Sequence, residues 1–216
     1  MRNDTNVKIK RIVASAENLP YFTLDDLSSV EKNKNYLKTL FSRYEKSGEL
    51  VRLKKGVYVT KRYLLSHNGI EHYHEFLANI LYQPSYLSLD YVLYQHNLIT
   101  ELPKNFTSMT KNKTAHFSNK LGNFFYHKIK DELFCGFGIL KEGDFTILKA
   151  TKAKALFDFL YLRKNLLAGE KAIEELRLNL GELTGKDLKE FKEYLKLENS
   201  KKMNQIFTTL CKLWKH

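Results

Sequence analysis

The sequence has little of what marks a secreted, membrane-spanning or disulfide-bonded protein. Its two cysteines, Cys135 and Cys211, are far apart and match no metal-binding or redox spacing. Its three prolines argue against long proline-rich linkers. No apolar run reaches the roughly 18 residues of a transmembrane helix, and the opening MRNDTNVKIK lacks the apolar core of a signal peptide. We therefore expect a cytoplasmic chain with reduced thiols and no membrane partner.

Motifs of the common enzyme classes are missing as well. The sequence contains no G-x-x-x-x-G-K-[ST], no G-x-G-x-x-G and no G-x-S-x-G. Asp131, Glu132 and Asp144 lie among expected strands, but no Glu-x-Lys follows at a range useful for a magnesium-dependent nuclease. Gly136-Phe137-Gly138 is more typical of a strand bulge than of a phosphate-binding loop. We expect no enzyme activity, no catalytic residue and no cofactor.

One stretch, HNGIEHYHEF, carries residue types that can bind a metal ion. On a helix, four of its side chains would share one face, as metal ligands do: His67, Glu71, His74 and Glu75. The H-E-x-x-H order is absent, and the aromatic residues between them favour ordinary helix packing. We expect no metal here and keep a metal-dependent nucleic-acid enzyme as the least favoured alternative.

Positive charge is what the sequence has in excess, with a net charge of +12. Residues 1–63 hold 14 basic against 7 acidic residues, residues 64–150 hold 8 of each, and residues 151–216 hold 14 against 9. Lysine and arginine give affinity for nucleic acid by releasing counterions. The distribution favours a nucleic-acid-binding N-terminus. The basic C-terminus is either a second such surface or a solvated helix face.

The hydrophobic pattern divides the chain near residues 62–70. Residues 70–99 are helical in pattern, with a turn near Gln83-Pro84-Ser85, and so are those from 151 onward. Residues 105–149 carry β-branched and aromatic residues broken by glycines. Strands flanked by helices without a β-α-β alternation predict the α+β class. We expect a winged helix-turn-helix domain over 1–65. An α+β domain with a small antiparallel sheet and several helices is expected over 66–216.

Three helices are expected in the N-terminal domain. The first follows from apolar residues at helical spacing: Val7, Ile9, Ile12 and Val13. Thr23, with Asp26 three residues later, is a variant of the capping box and predicts a short second helix over TLDDLSSV. Asn33 is expected to cap a third helix that runs to about Lys46 and stops at Gly48.

The third helix is amphipathic. Its apolar stripe consists of Tyr36, Leu37, Leu40, Phe41 and Tyr44. The opposite face is basic and polar, and its DNA-facing residues are expected to be Lys34, Asn35, Lys38, Thr39 and Ser42. Such side chains meet base edges and phosphates when the first half of a recognition helix enters the major groove.

A basic hairpin is expected directly after this helix. Leu50–Leu53 and Val57–Thr60 are β-prone, and Gly56 allows a positive φ in the turn between them. Arg52, Lys54 and Lys55, at or near the tip, are expected to hold phosphates. Helix, capped helix, basic helix and basic hairpin together predict binding to double-stranded DNA. The alternative is a winged helix used for protein contact.

Further along the chain, Thr151 and Thr184 are expected to cap helices. Asp158 is the one acidic residue in the apolar run of the first of these helices. It is either a buried, hydrogen-bonded group that fixes the helix or a solvated one.

The sequence also resembles the AbiEi antitoxins of bacterial AbiE-type, type IV toxin–antitoxin systems, which act in phage defence. Gly48–Tyr58 is similar to the family's G-x-L-x-R-L-x-x-G-V-Y, and Phe106–Phe117 is similar to its I-T-S-V-T strand. Ala150–Arg163 is similar to its A-T-P-E-K-A-L-x-D-L-L-Y-L helix. Two further segments resemble the family: Pro84–Ile99 and Gly122–Phe137.

The resemblance implies a transcriptional repressor that binds the operator of its own operon and counteracts a nucleotidyltransferase-like toxin without a stable complex. The family's Pro-Glu at the start of the later helix is replaced here by Lys152-Ala153. A role for that acidic residue therefore does not carry over. The alternative is a non-enzymatic module that neutralises a toxin by direct contact.

Overall fold

The computed structural model describes residues 11, 13–67, 71–167 and 169–214. Among these residues, those up to Tyr73 together with Phe117–Gly122 form one compact unit, and the others form a second. We call them the N-terminal unit and the C-terminal unit. Among the described helices, none combines the length and the apolar character needed to cross a membrane.

The N-terminal unit contains a three-stranded antiparallel sheet. Its strands are β1 (Phe22–Thr23), β2 (Leu50–Lys54) and β3 (Val57–Thr60), in the order β1-β3-β2. The hairpin of β2 and β3 is confirmed, and Gly56 in its turn has a φ of 82°. The pairing shifts by one residue between Arg52 and Lys54, because β2 has an extra residue opposite β3 there.

Helix α1 (Lys34–Ser47) confirms the third predicted helix. The Asn33 side chain accepts hydrogen bonds from the backbone N–H groups of Asn35 and Tyr36, at 3.1 and 3.0 Å. Gly48 ends the helix with a φ of 80°. The apolar stripe is buried at Leu37, Leu40 and Phe41, and the Phe41 ring packs edge-on against Tyr58 of β3 at 4.9 Å.

The predicted second helix is wrong. Residues 24–30 form consecutive turns, with backbone hydrogen bonds from Ser28 to Asp25 and from Val30 to Leu27. Both of these bonds join residues three apart, which is the spacing of turns, whereas an α-helix joins residues four apart. The backbone N–H and the hydroxyl of Thr23 both donate to the Asp26 carboxylate, at 2.7 and 2.8 Å. Of the first predicted helix, residues 13–16 are helical, whereas Val7, Ile9 and Ile12 lie outside the described residues.

The larger sheet has six strands in the order β6-β7-β5-β4-β9-β8. They are β4 (Ser85–Leu87), β5 (Phe106–Thr110), β6 (Ala115–Asn119), β7 (Gly122–Lys128), β8 (Phe137–Glu142) and β9 (Phe145–Ala150). The chain is α+β, and strands over 105–149 are confirmed. The antiparallel pairing expected for this sheet is present between β4 and β5 and between β8 and β9. The sheet as a whole is mixed, because β5 pairs with β7 and β4 with β9 in parallel. β4 also interrupts the helical stretch expected over residues 70–99.

Seven further helices are described: α2 (Lys61–Ser66), α3 (Glu71–Leu81), α4 (Leu89–Gln95), α5 (Lys152–Arg163), α6 (Glu170–Glu174), α7 (Gly185–Glu198) and α8 (Lys201–Trp214). Both predicted threonine caps are confirmed. The Thr151 hydroxyl accepts from the backbone of Lys154, and Thr184 forms a complete capping box with Asp187.

A fully buried ion pair joins α5 to the sheet. The Lys154 ammonium lies 2.5 Å from Asp158 Oδ1, one helical turn away. The hydroxyl groups of Tyr86 and Ser88 donate to Asp158 Oδ2 at 3.0 and 2.8 Å. Three aromatic rings surround the ammonium at 5.0 to 5.7 Å: Tyr86, Phe157 and Tyr194. Asp158 is therefore the buried, hydrogen-bonded group, and the solvated alternative is wrong.

Candidate nucleic-acid interface

The exposed face of α1 carries the residues that the sequence predicts to contact DNA. Lys34, Asn35, Lys38, Thr39 and Ser42 are all exposed. The Thr39 hydroxyl donates to the carbonyl of Asn35 at 3.0 Å, which leaves its oxygen available as an acceptor. Lys34 pairs with Asp25 at 2.6 Å, but both side chains are exposed and such a pair is weak in water.

Arg43 is a residue of this face that sequence reasoning missed. It lies one turn after Thr39 on α1 and is exposed. Among the described residues, neither Arg43 nor Lys38 has an ion-pair partner. The sequence alone could have placed Arg43 on this face, because Arg43 follows Thr39 by four residues and positions i and i+4 share a face of a helix.

The three cationic residues of the hairpin have different surroundings. Arg52 on β2 and Lys55 in the turn are exposed. Lys54 is half-buried, with its ammonium 5.8 Å from the centre of the Phe117 ring. Burial lowers the pKa of Lys54 below its ordinary value. Arg52 and Lys55 are therefore better placed for contact with an anion than Lys54 is.

A groove with a volume of about 670 Å³ lies within the N-terminal unit, and we call it the basic groove. It is lined by the last turns of α1, by β2 and its turn, and by residues 118–120. Its charged residues are Glu45, Lys46, Arg52, Lys54, Lys55 and Lys120. With five cations and one carboxylate, the groove has an excess of positive charge that favours the binding of an anion.

The basic groove brings together only part of the predicted site. Ser42 and the three hairpin cations line it. Lys34, Asn35, Lys38 and Thr39 lie on the earlier turns of α1 and do not line it. The predicted residues thus form two adjacent features of the N-terminal unit, an exposed helix face and a groove, which Ser42 joins.

Residues 117–122 are the part of this unit that sequence reasoning missed. The side-chain amide of Asn119 donates to the carbonyl of Leu53 on β2 at 2.9 Å. Its other side-chain atom, Oδ1, accepts from the backbone N–H of Leu121 at 2.8 Å. Nothing local in the sequence pairs Asn119 with Leu53, since they are 66 residues apart.

Three side chains of the histidine-rich stretch contact other residues of the chain. The His67 ring stacks on Tyr63 at 4.0 Å, and the His74 ring stacks on Phe106 at 5.7 Å. Glu75 is buried and accepts hydrogen bonds from Tyr91, Gln95 and Lys149; the side chain of Glu71 lies outside the described residues. In the part of the chain that the structure describes, no three His, Cys, Asp or Glu side chains could hold a metal ion.

Glu75 gives a pH-dependent contribution to stability. Burial alone would raise the pKa of Glu75, but hydrogen bonds from Lys149 and Gln95 outweigh burial and hold the pKa below its ordinary value of 4.5. A lowered pKa stabilises the fold above pH 4.5, and this contribution is lost as the pH falls through the folded-state pKa. We expect Glu75→Gln to reduce the free energy of unfolding by about 1–3 kcal/mol at pH 7. In urea denaturation, the difference from the wild type should shrink below pH 4.5.

Glu193→Gln is the matched control, because Glu193 pairs with Lys196 on the surface, where both side chains are more than half exposed. It should change the free energy of unfolding by less than about 0.5 kcal/mol. A loss at Glu75 that stayed constant between pH 7 and pH 3 would contradict the assigned ionisation.

No known protein family matches the chain, and comparison with curated proteins gave no match.

Proposed function

We propose that the N-terminal unit binds double-stranded DNA, with α1 in the major groove and the β2–β3 hairpin against the phosphate backbone. One observation carries the proposal. The exposed face of α1 presents cations and small polar groups directly before a hairpin that carries three more cations.

The composition of the α1 face suits the major groove. A helix fits into a groove about 12 Å wide, and lysine, arginine and asparagine are the side chains that most often contact base edges there. Asn35, Lys38 and Arg43 provide these groups on an exposed face. Buried Leu37 and Phe41 fix the opposite face of the helix, so the polar side chains extend from a rigid support.

The proposal needs α1 and the hairpin, and it does not need the second helix of a helix-turn-helix. In it, the turns of residues 24–30 take the place of that helix, and Leu27 within them is buried. The unit would then be a winged helix with a shortened second element.

The resemblance to the AbiEi antitoxins extends the proposal from DNA binding in general to binding of an operator. In this extension, the DNA is the promoter region of the chain's own gene, and the protein is an autorepressor that counteracts a nucleotidyltransferase-like toxin. The antitoxin role rests on that resemblance alone. A gene for a nucleotidyltransferase-like protein directly downstream would support it.

Lys38→Ala tests the DNA-binding proposal. We expect it to weaken binding to the promoter duplex by about tenfold or more, because one well-placed contact contributes about 1–3 kcal/mol. Fluorescence anisotropy with the full chain and a labelled duplex measures this change. Lys141→Ala removes an exposed lysine of β8 and is the matched control for net charge.

Two results would contradict the proposal. One is wild-type protein that does not bind the duplex, or whose binding does not change with salt concentration, because phosphate contacts release counterions. The other is an equal loss in the Lys38 and Lys141 variants, which would indicate a general effect of charge. A stable 1:1 complex with the toxin, without DNA binding, would instead favour a module that acts by protein contact.

A further inference from the structure

We infer that the basic groove is a phosphate-binding site of this interface, and that residues 117–122, distant in sequence, supply one of its cations. This inference rests on the proposed function. It assigns Lys46 and Lys120 to the binding of the DNA backbone, in addition to the residues that the sequence predicts.

Residues 117–122 are attached to the hairpin through the residues that precede Lys120. The Asn119 amide donates to the Leu53 carbonyl of β2. The ring of Phe117 lies beneath the Lys54 ammonium. Within the segment, the backbone N–H of Leu121 donates to Asn119 Oδ1 and so closes the turn that contains Lys120. Lys120 is therefore held at the groove, and the entropy lost on ordering its backbone has already been lost on folding.

The charge of the groove is not neutralised within the protein. Among the described residues, four of its cations have no ion-pair partner: Lys46, Arg52, Lys55 and Lys120. Its one acidic residue, Glu45, is half-buried. Unpaired cations that converge on one concave surface raise the local concentration of anions there. The ligand that fits such a surface is a polyanion.

The groups that line the groove suit phosphates better than bases. Both polar atoms of the Asn119 side chain are engaged by Leu53 and Leu121, so its amide cannot read a base edge in the usual bidentate way. The groove also presents flexible cations and the exposed hydroxyl of Ser42. Such groups contact phosphate oxygens without reading sequence. The groove should therefore add affinity that is the same for every DNA sequence.

The test compares Lys120→Ala, Lys120→Arg, Lys46→Ala and the Lys46→Ala/Lys120→Ala double variant with the wild type. The dissociation constant of each is measured over a series of salt concentrations, on the promoter duplex and on an unrelated duplex of equal length. Each lost phosphate contact lowers the slope of log K against log salt by about one.

We expect each alanine variant to lose about one from the slope, and the double variant about two, on both duplexes. Lys120→Arg should keep the wild-type slope, because it keeps the charge. The Lys141→Ala control should also keep it. A wild-type slope in Lys120→Arg beside a reduced slope in Lys120→Ala assigns the loss to the charge of residue 120. A disturbed hairpin would instead affect both variants.

A wild-type slope in Lys120→Ala overturns the inference. If Lys38→Ala still weakens binding in that case, the proposed function stands and only the groove assignment is wrong. Absence of DNA binding by the wild type overturns both. A slope change seen on RNA of the same sequence but not on the DNA duplex would also overturn the inference, because it would identify a different ligand.

Discussion

Asp158→Ala is expected to destabilise the C-terminal unit by about 3–5 kcal/mol, because it leaves the Lys154 ammonium buried without a counter-charge. Both side chains are fully buried, and the ammonium lies 2.5 Å from the carboxylate. Burial raises the pKa of Asp158, whereas Lys154 and the hydroxyls of Ser88 and Tyr86 oppose that rise. The substitution removes the acceptor of all three groups. Urea denaturation followed by far-UV circular dichroism measures the effect.

The control for this prediction is the double variant Lys154→Met/Asp158→Leu. Replacing both charges with apolar side chains of similar size removes the buried charge, so it should cost far less than Asp158→Ala. Trp214, the only tryptophan, gives a second probe of the transition, since its indole N–H donates to the Leu183 carbonyl in the same unit. An Asp158→Ala variant as stable as the double variant would show that the pair is not what holds α5.

Gly136→Ala is the second substitution with a large expected effect, about 2–4 kcal/mol of unfolding free energy. A methyl group at Gly136 would overlap the hydroxyl oxygen of Tyr194 and would lie 2.6 Å from its Cζ and 2.9 Å from Lys154 Cδ. The φ of Gly136 is 73°, which alanine adopts only with strain. Steric overlap and backbone strain therefore act together at this position.

Two other glycines separate these causes. Gly143 has a φ of 61° but open space around it, so Gly143→Ala should show the backbone strain alone, about 1 kcal/mol. Gly138 has neither a positive φ nor a close neighbour, so Gly138→Ala should change stability little. Equal losses at Gly136 and Gly143 in urea denaturation would contradict the steric role of Tyr194.

The features that sequence reasoning predicted correctly are those that local chemistry decides. Asn33 and Gly48 fix the two ends of α1, because a side-chain cap and a left-handed glycine each act within a few residues. Gly56 fixes the turn of the hairpin in the same way. Thr184 caps the start of α7 as predicted, and the capping box that it forms with Asp187 spans only three residues.

Sequence reasoning missed the features that depend on residues distant in the chain. The pairing of β5 with β7 and of β4 with β9 depends on contacts between segments, so the direction of these strands is not encoded locally. The sequence leaves Asp158 open between a buried and a solvated position, because the hydrogen bonds that decide it come from residues 70 and 72 positions away. Residues 24–30 differ in the opposite way, because the local bonds between Thr23 and Asp26 do form but are followed by turns and not by a helix.

The hydrogen bond between Asn119 and Leu53 determines when, during translation, the N-terminal unit can be completed. The N-terminal unit includes residues 117–122, so its last segment is completed only after β5 and β6 have been synthesised. Translation adds about 5–20 residues per second, so the hairpin waits for several seconds before its partner segment arrives. A nascent chain that stops short of residue 122 carries a hairpin whose Leu53 carbonyl still lacks the Asn119 amide. Completion of the basic groove is thereby tied to synthesis of the middle of the chain.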